Sequence, residues 1–369
     1  SQGKDVSGTL GIAHTRWATH GAPSEVNAHP HLSQSGNITL VHNGIIENYQ
    51  ELKDKLVKSG YVFYSQTDTE VAVKLVDYYY RKYQNPVTAL SKTMIRVRGS
   101  YALAILFKDY PDQIWTARQD SPMIVGVEKG EAFVASDVPA ILKYTRKVYY
   151  VGTHEMACLK AGDVSFFNIE GEQVTKELTS ITWDAEAAEK GGYEHFMMKE
   201  IHEQPKAMAD TLSSLIKDGK VDLSAAGLDD ETLRGYRYIT VAACGSAWHV
   251  GMEAQYIIED LCSVPVRVEL ASEFRYRKPI VGPGELVVII SQSGETADSL
   301  AALREAKSRG ADTLAIVNVL GSSIAREADH VLYTLAGPEI AVATTKAYST
   351  QLMVVDAFAV HLAYVLGRI

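Results

Sequence analysis

Residues 286–296 read LVVIISQSGET: five consecutive apolar positions run straight into a cluster of hydroxyls around one glycine. A helical pattern follows, to residue 308. A strand that is apolar on both faces belongs in a buried sheet. Residues 238–243 repeat the arrangement, ending in Cys244-Gly245-Ser246 before a helical stretch to about residue 261. Strand-like runs at 266–270, 313–317 and 331–334 follow, then a long helical stretch at 345–366. Strands alternating with helices at this spacing predict βαβ units and a mostly parallel sheet flanked by helices. In such sheets ligands bind beyond the carboxyl ends of the strands.

Two of those strand ends carry the chemistry. The first turn of a helix offers unpaired N–H groups and the positive end of the dipole, a natural seat for phosphate. Hydroxyls at Ser246, Ser291, Ser293 and Thr296 add donors, and Gly294 suits a close backbone approach. Neither cluster is a Walker A loop or a GxGxxG turn, so nucleotide binding does not lead, and no cofactor is expected. A third segment, Val342-Ala343-Thr344-Thr345-Lys346, opens the last helix beside the same crevice. Plain helix capping accounts for each cluster taken singly.

Residues 1–183 have a different texture. Short apolar runs at 38–42, 101–107, 114–117, 132–135 and 164–167 alternate with turns, and helical patterns occupy 48–58 and 69–82. That mixture predicts an α+β layered domain. A polar, acidic stretch marks a boundary, so the expected organisation is 1–183, a linker with leading helices at 184–220, and 221–369.

In the first half four strings stand out: HTRWATHG at 14–21, NAHPH at 27–31, VHNG at 41–44 and QTDTE at 66–70. A free amino acid needs a cation for its carboxylate and an acid for its ammonium, and Arg16 and Asp68 offer that pair. Acyl transfer needs donors aimed at an oxyanion, which Asn43 and the Gly44 N–H can supply. Asn-Gly is also a common turn, and Asp68 also suits a helix N-terminus. Five histidines crowd this region, but their spacing matches no HExxH-type signature and no metal is expected.

The chain has 369 residues and a formal net charge of −9, which argues against a general nucleic-acid binder. Its three cysteines are widely spaced without a CxxC pair, as in a reducing compartment. No apolar run reaches membrane-spanning length and the first residues do not form a signal peptide, so a cytoplasmic location and no membrane partner are expected.

The strings SQSGETADSL, ASEFRYRK at 271–278 and VATTKAY resemble the first sugar-isomerase (SIS) module of the glucosamine-6-phosphate synthase family. HTRWATHG and HNGIIEN resemble its class II amidotransferase (glutaminase) domain, of the N-terminal-nucleophile hydrolase fold. The resemblance implies αββα layers in the first domain and an α/β SIS domain after it. It implies that Ser291, Gln292, Ser293 and Thr296 bind the phosphate of fructose 6-phosphate, with Cys244, Gly245, Ser246, Val342 and Thr344 lining the sugar pocket. The family commonly reads CGTS where this chain has Cys244-Gly245-Ser246-Ala247, which loses a hydroxyl at 247. In the glutaminase it implies that Arg16 holds the glutamine α-carboxylate and Asp68 its amino group. Trp17, Thr19, His20 and Gly21 shape that pocket with His29 nearby, and Asn43 and Gly44 form the oxyanion hole.

The family implies a glutamine-dependent enzyme that aminates and isomerises fructose 6-phosphate to glucosamine 6-phosphate for amino-sugar synthesis. Its nucleophile is an N-terminal cysteine, and its isomerase residues lie in a second SIS module and a C-terminal tail. The expectation is therefore a chain truncated at both ends and inactive alone, from a bacterial parent that is a homodimer. A phosphoribosyl amidotransferase would need a pyrophosphate loop that is not found. A sugar-phosphate sensor built on an SIS module has no reason to carry HTRWATHG and HNG.

Overall fold

The computed structural model describes residues 8–16, 21–181 and 190–369. Trp17, Thr19 and His20 lie outside the described residues, as does most of the expected boundary. The chain divides into two compact units, Ser1–Thr182 and Trp183–Ile369.

Among the described residues the first unit has helices α1 (Tyr49–Lys58), α2 (Asp68–Tyr83) and α3 (Pro86–Arg96). Its strands are β1 (His31–Leu32), β2 (Ile38–Ile46), β3 (Gly99–Phe107), β4 (Ile114–Gln119), β5 (Ile124–Glu128), β6 (Glu131–Ala135), β7 (Lys147–Tyr150), β8 (Glu155–Lys160), β9 (Asp163–Phe167), β10 (Gln173–Val174) and β11 (Thr179–Ser180). They form a seven-stranded sheet, β1-β2-β3-β4-β8-β9-β10, and a four-stranded sheet, β11-β7-β5-β6. Side chains alternate between faces along each strand. Leu40, Leu103 and Ile105 pack with Val73, Val76 and Leu90 of the helices. Val41, Ala102 and Ala104 turn the other way and meet Val125 across the sheets. The layers run helix, sheet, sheet, and the far face of the four-stranded sheet is packed at Gly126 by Ile141 and Thr145.

Two local differences from the sequence reading have physical causes. β2 continues through Asn43-Gly44 to Ile46, because register with β3 (Gly44 opposite Tyr101) holds this Asn-Gly inside a ladder. Helix α3 was not anticipated, although Asn85 Oδ1 accepts from Thr88 N at 2.9 Å and Pro86 takes the first helical position.

The second unit opens with α4 (Phe196–Leu215), which ends before residue 217 in a tight hairpin of β12 (Ile216–Lys217) and β13 (Lys220–Val221). Asp218 and Gly219 both take positive φ there, the requirement of a two-residue turn. Then follow α5 (Asp230–Gly235), β14 (Tyr238–Ala243), α6 (Ser246–Cys262), β15 (Val266–Leu270), α7 (Ala271–Phe274), β16 (Glu285–Ser291), α8 (Ala297–Ser308), β17 (Asp312–Val317), α9 (Ser323–Glu327), β18 (His330–Tyr333) and α10 (Lys346–Val365). The sheet order is β15-β14-β16-β17-β18 and every pairing is parallel. Ile239, Val241, Val288 and Ile290 pack on one face with α6 and α10; Ala242, Val287 and Ile289 pack on the other with Leu300 and Leu303 of α8. Helix α10 buries Val354, Phe358 and Leu362 inside this unit and leaves Val360 and Tyr364 exposed.

The chain leaves β14 on one side to make β15, then crosses back to place β16 on the other. The order therefore reverses between β14 and β16, where a crevice opens beyond the strand ends. Register sets Ala243 opposite Ile290, so the Cys244 and Ser291 clusters are neighbours.

Candidate functional site

At that switch point lies a cavity of about 170 Å³. Cys244, Ser246, Ser291, Gln292, Ser293, Thr296 and Thr344 line it, as the sequence suggested. Gly245 is the N-cap of α6 with φ +57 and is not among the lining residues; Val342 is 98% exposed and does not reach the cavity. Ala247, where the family's hydroxyl is absent, also lines it, as do Ser299 and Gln351, which the sequence reading missed.

The hydroxyls are not spent on capping. Thr296 is the N-cap of α8 yet makes no side-chain bond to the helix; its Oγ1 lies 3.1 Å from Ser291 Oγ. Ser291 Oγ accepts from Gly294 N and Ser293 Oγ from Glu295 N, both at 3.1 Å. Glu295, whose charge would oppose an anion, turns away: its two oxygens accept from Ser323 N at 2.6 Å and Ser323 Oγ at 2.8 Å. Asp298, in the first turn of α8, is paired with Arg275 at 2.7 Å. The crevice is thereby left with donors and little competing negative charge.

Gly294 needs correction. Its φ is +65, and a Cβ there would fall 2.0 Å from Ser322 Oγ. The close approach it permits is to Ser322 and the first turn of α9, where Ile324 N donates to Gly294 O at 3.0 Å. Asn318, 2% exposed, donates its N–H to Gln292 O and holds Gly337 O and Ala336 N with its side chain, fixing the neighbouring loop. Cys244 receives the Ser299 hydroxyl at 3.9 Å, and burial pushes its thiol pKa up, so it lines the wall as a neutral group.

In the first unit, Asn43 lines a cavity of about 620 Å³ together with His14, Thr15, Val41 and Ala102. Val41 and Asn43 share one face of β2, whereas His42 points to the helices and meets Thr69 Oγ1 at 3.0 Å. His29 Nε2 bonds the same Thr69 hydroxyl at 3.1 Å, and the His14 and His29 rings lie 4.6 Å apart. This chain of contacts links the Asn43 cavity to the start of α2. Asp68, 3% exposed, accepts from Ile46 N at 2.9 Å and stands 3.9 Å from His42. Thr67, not Asp68, is the N-cap of α2 through its bond with Glu70 N. The Arg16 guanidinium donates to Gly21 O at 3.1 Å and Ala22 O at 3.3 Å. Asn27 ties that loop to Gln66, donating to Ala22 O at 3.0 Å and accepting from Gln66 N at 3.0 Å.

Gly44 is irreplaceable on geometry: with φ +134, a Cβ would lie 2.1 Å from the Ser100 carbonyl oxygen. Three of these histidines, His14, His29 and His31, resist protonation. Burial, then the positive charge of neighbouring imidazoles and Arg16, lowers His29 to about 3; burial likewise lowers His14 and His31. Among the described residues no three His, Cys, Asp or Glu groups are set to hold a metal ion.

Comparison with known proteins agrees with both units. Residues 14–143 match the glutamine amidotransferase domain family and residues 232–361 the SIS domain family. The glutamine–fructose-6-phosphate aminotransferase (isomerizing) of Caldanaerobacter subterraneus is 55% identical over 97% of this chain and 59% of its own length. That of Clostridium acetobutylicum is 53% identical over 94% of this chain and 57% of its own. The chain thus spans about three-fifths of the length of these relatives. Among solved structures, the C-terminal domain of glucosamine-fructose-6-phosphate aminotransferase from Francisella tularensis is 42% identical, covering 49% of this chain and 51% of that one at a TM-score of 0.47. The chain thus carries a glutamine amidotransferase domain followed by an SIS domain, and over nearly all of its length it is similar to glutamine–fructose-6-phosphate aminotransferases (isomerizing).

Proposed function

We propose that this chain supplies the glutamine site and a fructose 6-phosphate site of an enzyme that moves ammonia from glutamine to the sugar phosphate, giving glutamate and glucosamine 6-phosphate. The observation that carries the reading is the donor-rich cavity between Cys244 and Thr296, at the switch point of a parallel sheet and the start of α8. In this reading Ser291, Gln292, Ser293 and Thr296 take the phosphate, with Cys244, Ser246 and Thr344 around the sugar. Arg16 and Asp68 take the two charged ends of glutamine, with Trp17, Thr19, His20, Gly21 and His29 around it. Asn43 and Gly44 stabilise the oxyanion as the amide is attacked.

Support for the amino-acid site comes from the buried Asp68 carboxylate, 3.9 Å from His42, and from Arg16, whose backbone N–H donates to His14 at 2.9 Å in the same histidine cluster. The homodimeric assembly rests on the family resemblance. A cytoplasmic setting suits three free thiols, and among the described residues no helix is long and apolar enough to cross a membrane. Calorimetry of the 369-residue chain tests the reading: glutamine and fructose 6-phosphate should each bind once, without competing. Binding of the sugar phosphate alone would favour a sensor, and binding of neither would remove the proposal.

A further inference from the structure

The hydroxyls around the second-unit cavity differ in polarity. Ser291 and Ser293 each accept one backbone N–H, from Gly294 and Glu295, which engages one lone pair and leaves the proton to donate. The contact between Ser291 and Thr296 uses the proton of one of these two hydroxyls; the other, and that of Ser293, are available to a ligand acceptor. Thr344 is the reverse case. Its Oγ1 donates to Glu339 Oε2 at 2.8 Å. A hydroxyl has a single proton and a carboxylate can only accept, so Thr344 presents lone pairs alone to the cavity it lines.

Glu339 is itself firmly held. Its Oε1 accepts from Thr345 N at 2.9 Å and Ala347 N at 3.2 Å, at the positive end of α10. From α4, Glu200 Oε1 accepts from Ile340 N at 2.6 Å and Ala341 N at 3.1 Å. Resting on the sugar-phosphate reading of this cavity, we propose that Glu339 is a positioning residue that locks Thr344 as a hydrogen-bond acceptor. The ligand is then oriented with its anionic group on the Ser291–Thr296 donors and a hydroxyl donating to Thr344. An inorganic anion gains nothing from Thr344, whereas a polyhydroxylated phosphate ester does.

The test is calorimetry on the full chain with fructose 6-phosphate and, separately, inorganic phosphate. In Glu339→Gln the side-chain carbonyl stays with the two backbone N–H groups, and the amide NH2 now donates to Thr344, turning the hydroxyl proton into the cavity. Fructose 6-phosphate should bind about tenfold more weakly while inorganic phosphate is unchanged. Thr344→Val should show the same loss and Thr344→Ser should restore the parent affinity. The double variant should lose no more than Thr344→Val alone. Equal loss of both ligands in Glu339→Gln, or a further tenfold loss in the double variant, would overturn the proposal, because Glu339 would then only shape the loop. Parent-like sugar-phosphate affinity in Glu339→Gln would overturn it too, leaving the sugar-phosphate reading intact. A parent chain that binds neither ligand removes that reading and this inference with it.

Discussion

Ser291 and Thr296 bring their hydroxyl oxygens to 3.1 Å across the gap between the end of β16 and the start of α8. That contact decides between a cap and a cradle, because Thr296 makes no side-chain bond to its own helix. Ser291→Ala and Thr296→Val should each weaken fructose 6-phosphate and inorganic phosphate alike, by roughly tenfold in calorimetry. Unchanged affinity in both variants would show that the hydroxyls serve the loop alone.

Gln351 makes a prediction in which binding moves and stability does not. The residue is 3% exposed and lines the same cavity, where its amide can both donate to and accept from a ligand. Gln351→Leu should weaken fructose 6-phosphate binding by roughly tenfold in calorimetry while the urea midpoint stays at the parent value. A variant both less stable and fully competent to bind would place the amide in a structural role.

Gly44→Ala tests the backbone of the proposed oxyanion site. The new Cβ would meet the Ser100 carbonyl, which belongs to the sheet and cannot swing aside, in a conformation only glycine adopts easily. A loss of at least about 2 kcal/mol in unfolding free energy is expected. A near-neutral effect would mean that β2 and β3 separate at this point more readily than their register implies.

Acid should destabilise the first unit through its histidines. His29 titrates near 6.5 when unfolded and about 3 when folded. Between those values the unfolded chain binds the extra proton, so stability falls as pH drops through that window and is unaffected above it. His14 and His31, also lowered, act in the same direction. Urea midpoints measured from pH 7 to pH 4.5 should decline less steeply in His29→Gln than in the parent; equal slopes would contradict the assignment.

Much of this was readable in advance, for definite reasons. The apolar runs at 238–243 and 286–290 are strands buried on both faces, and their even spacing with helical stretches leaves few arrangements other than a parallel sheet. The hydroxyl clusters were legible because each follows its strand directly. Glu339 was not, since it reaches the start of α10 only through the path of the loop at 335–345. Nor was the clash that makes Gly294 necessary, because Ser322 is brought beside it by the fold alone. Gln351 did carry a faint signal: it follows Thr344 by seven residues, close to two helical turns. In the first unit the Asn-Gly pair read locally as a turn, and only pairing with β3 makes it part of a strand.

The most direct test is a crystal structure of this chain with fructose 6-phosphate bound. The phosphate should lie within hydrogen-bond distance of the Ser291, Ser293 and Thr296 hydroxyls and the first N–H groups of α8, with a sugar hydroxyl donating to Thr344. A phosphate seated anywhere else, or a sugar turned with its phosphate toward Thr344, would contradict the account.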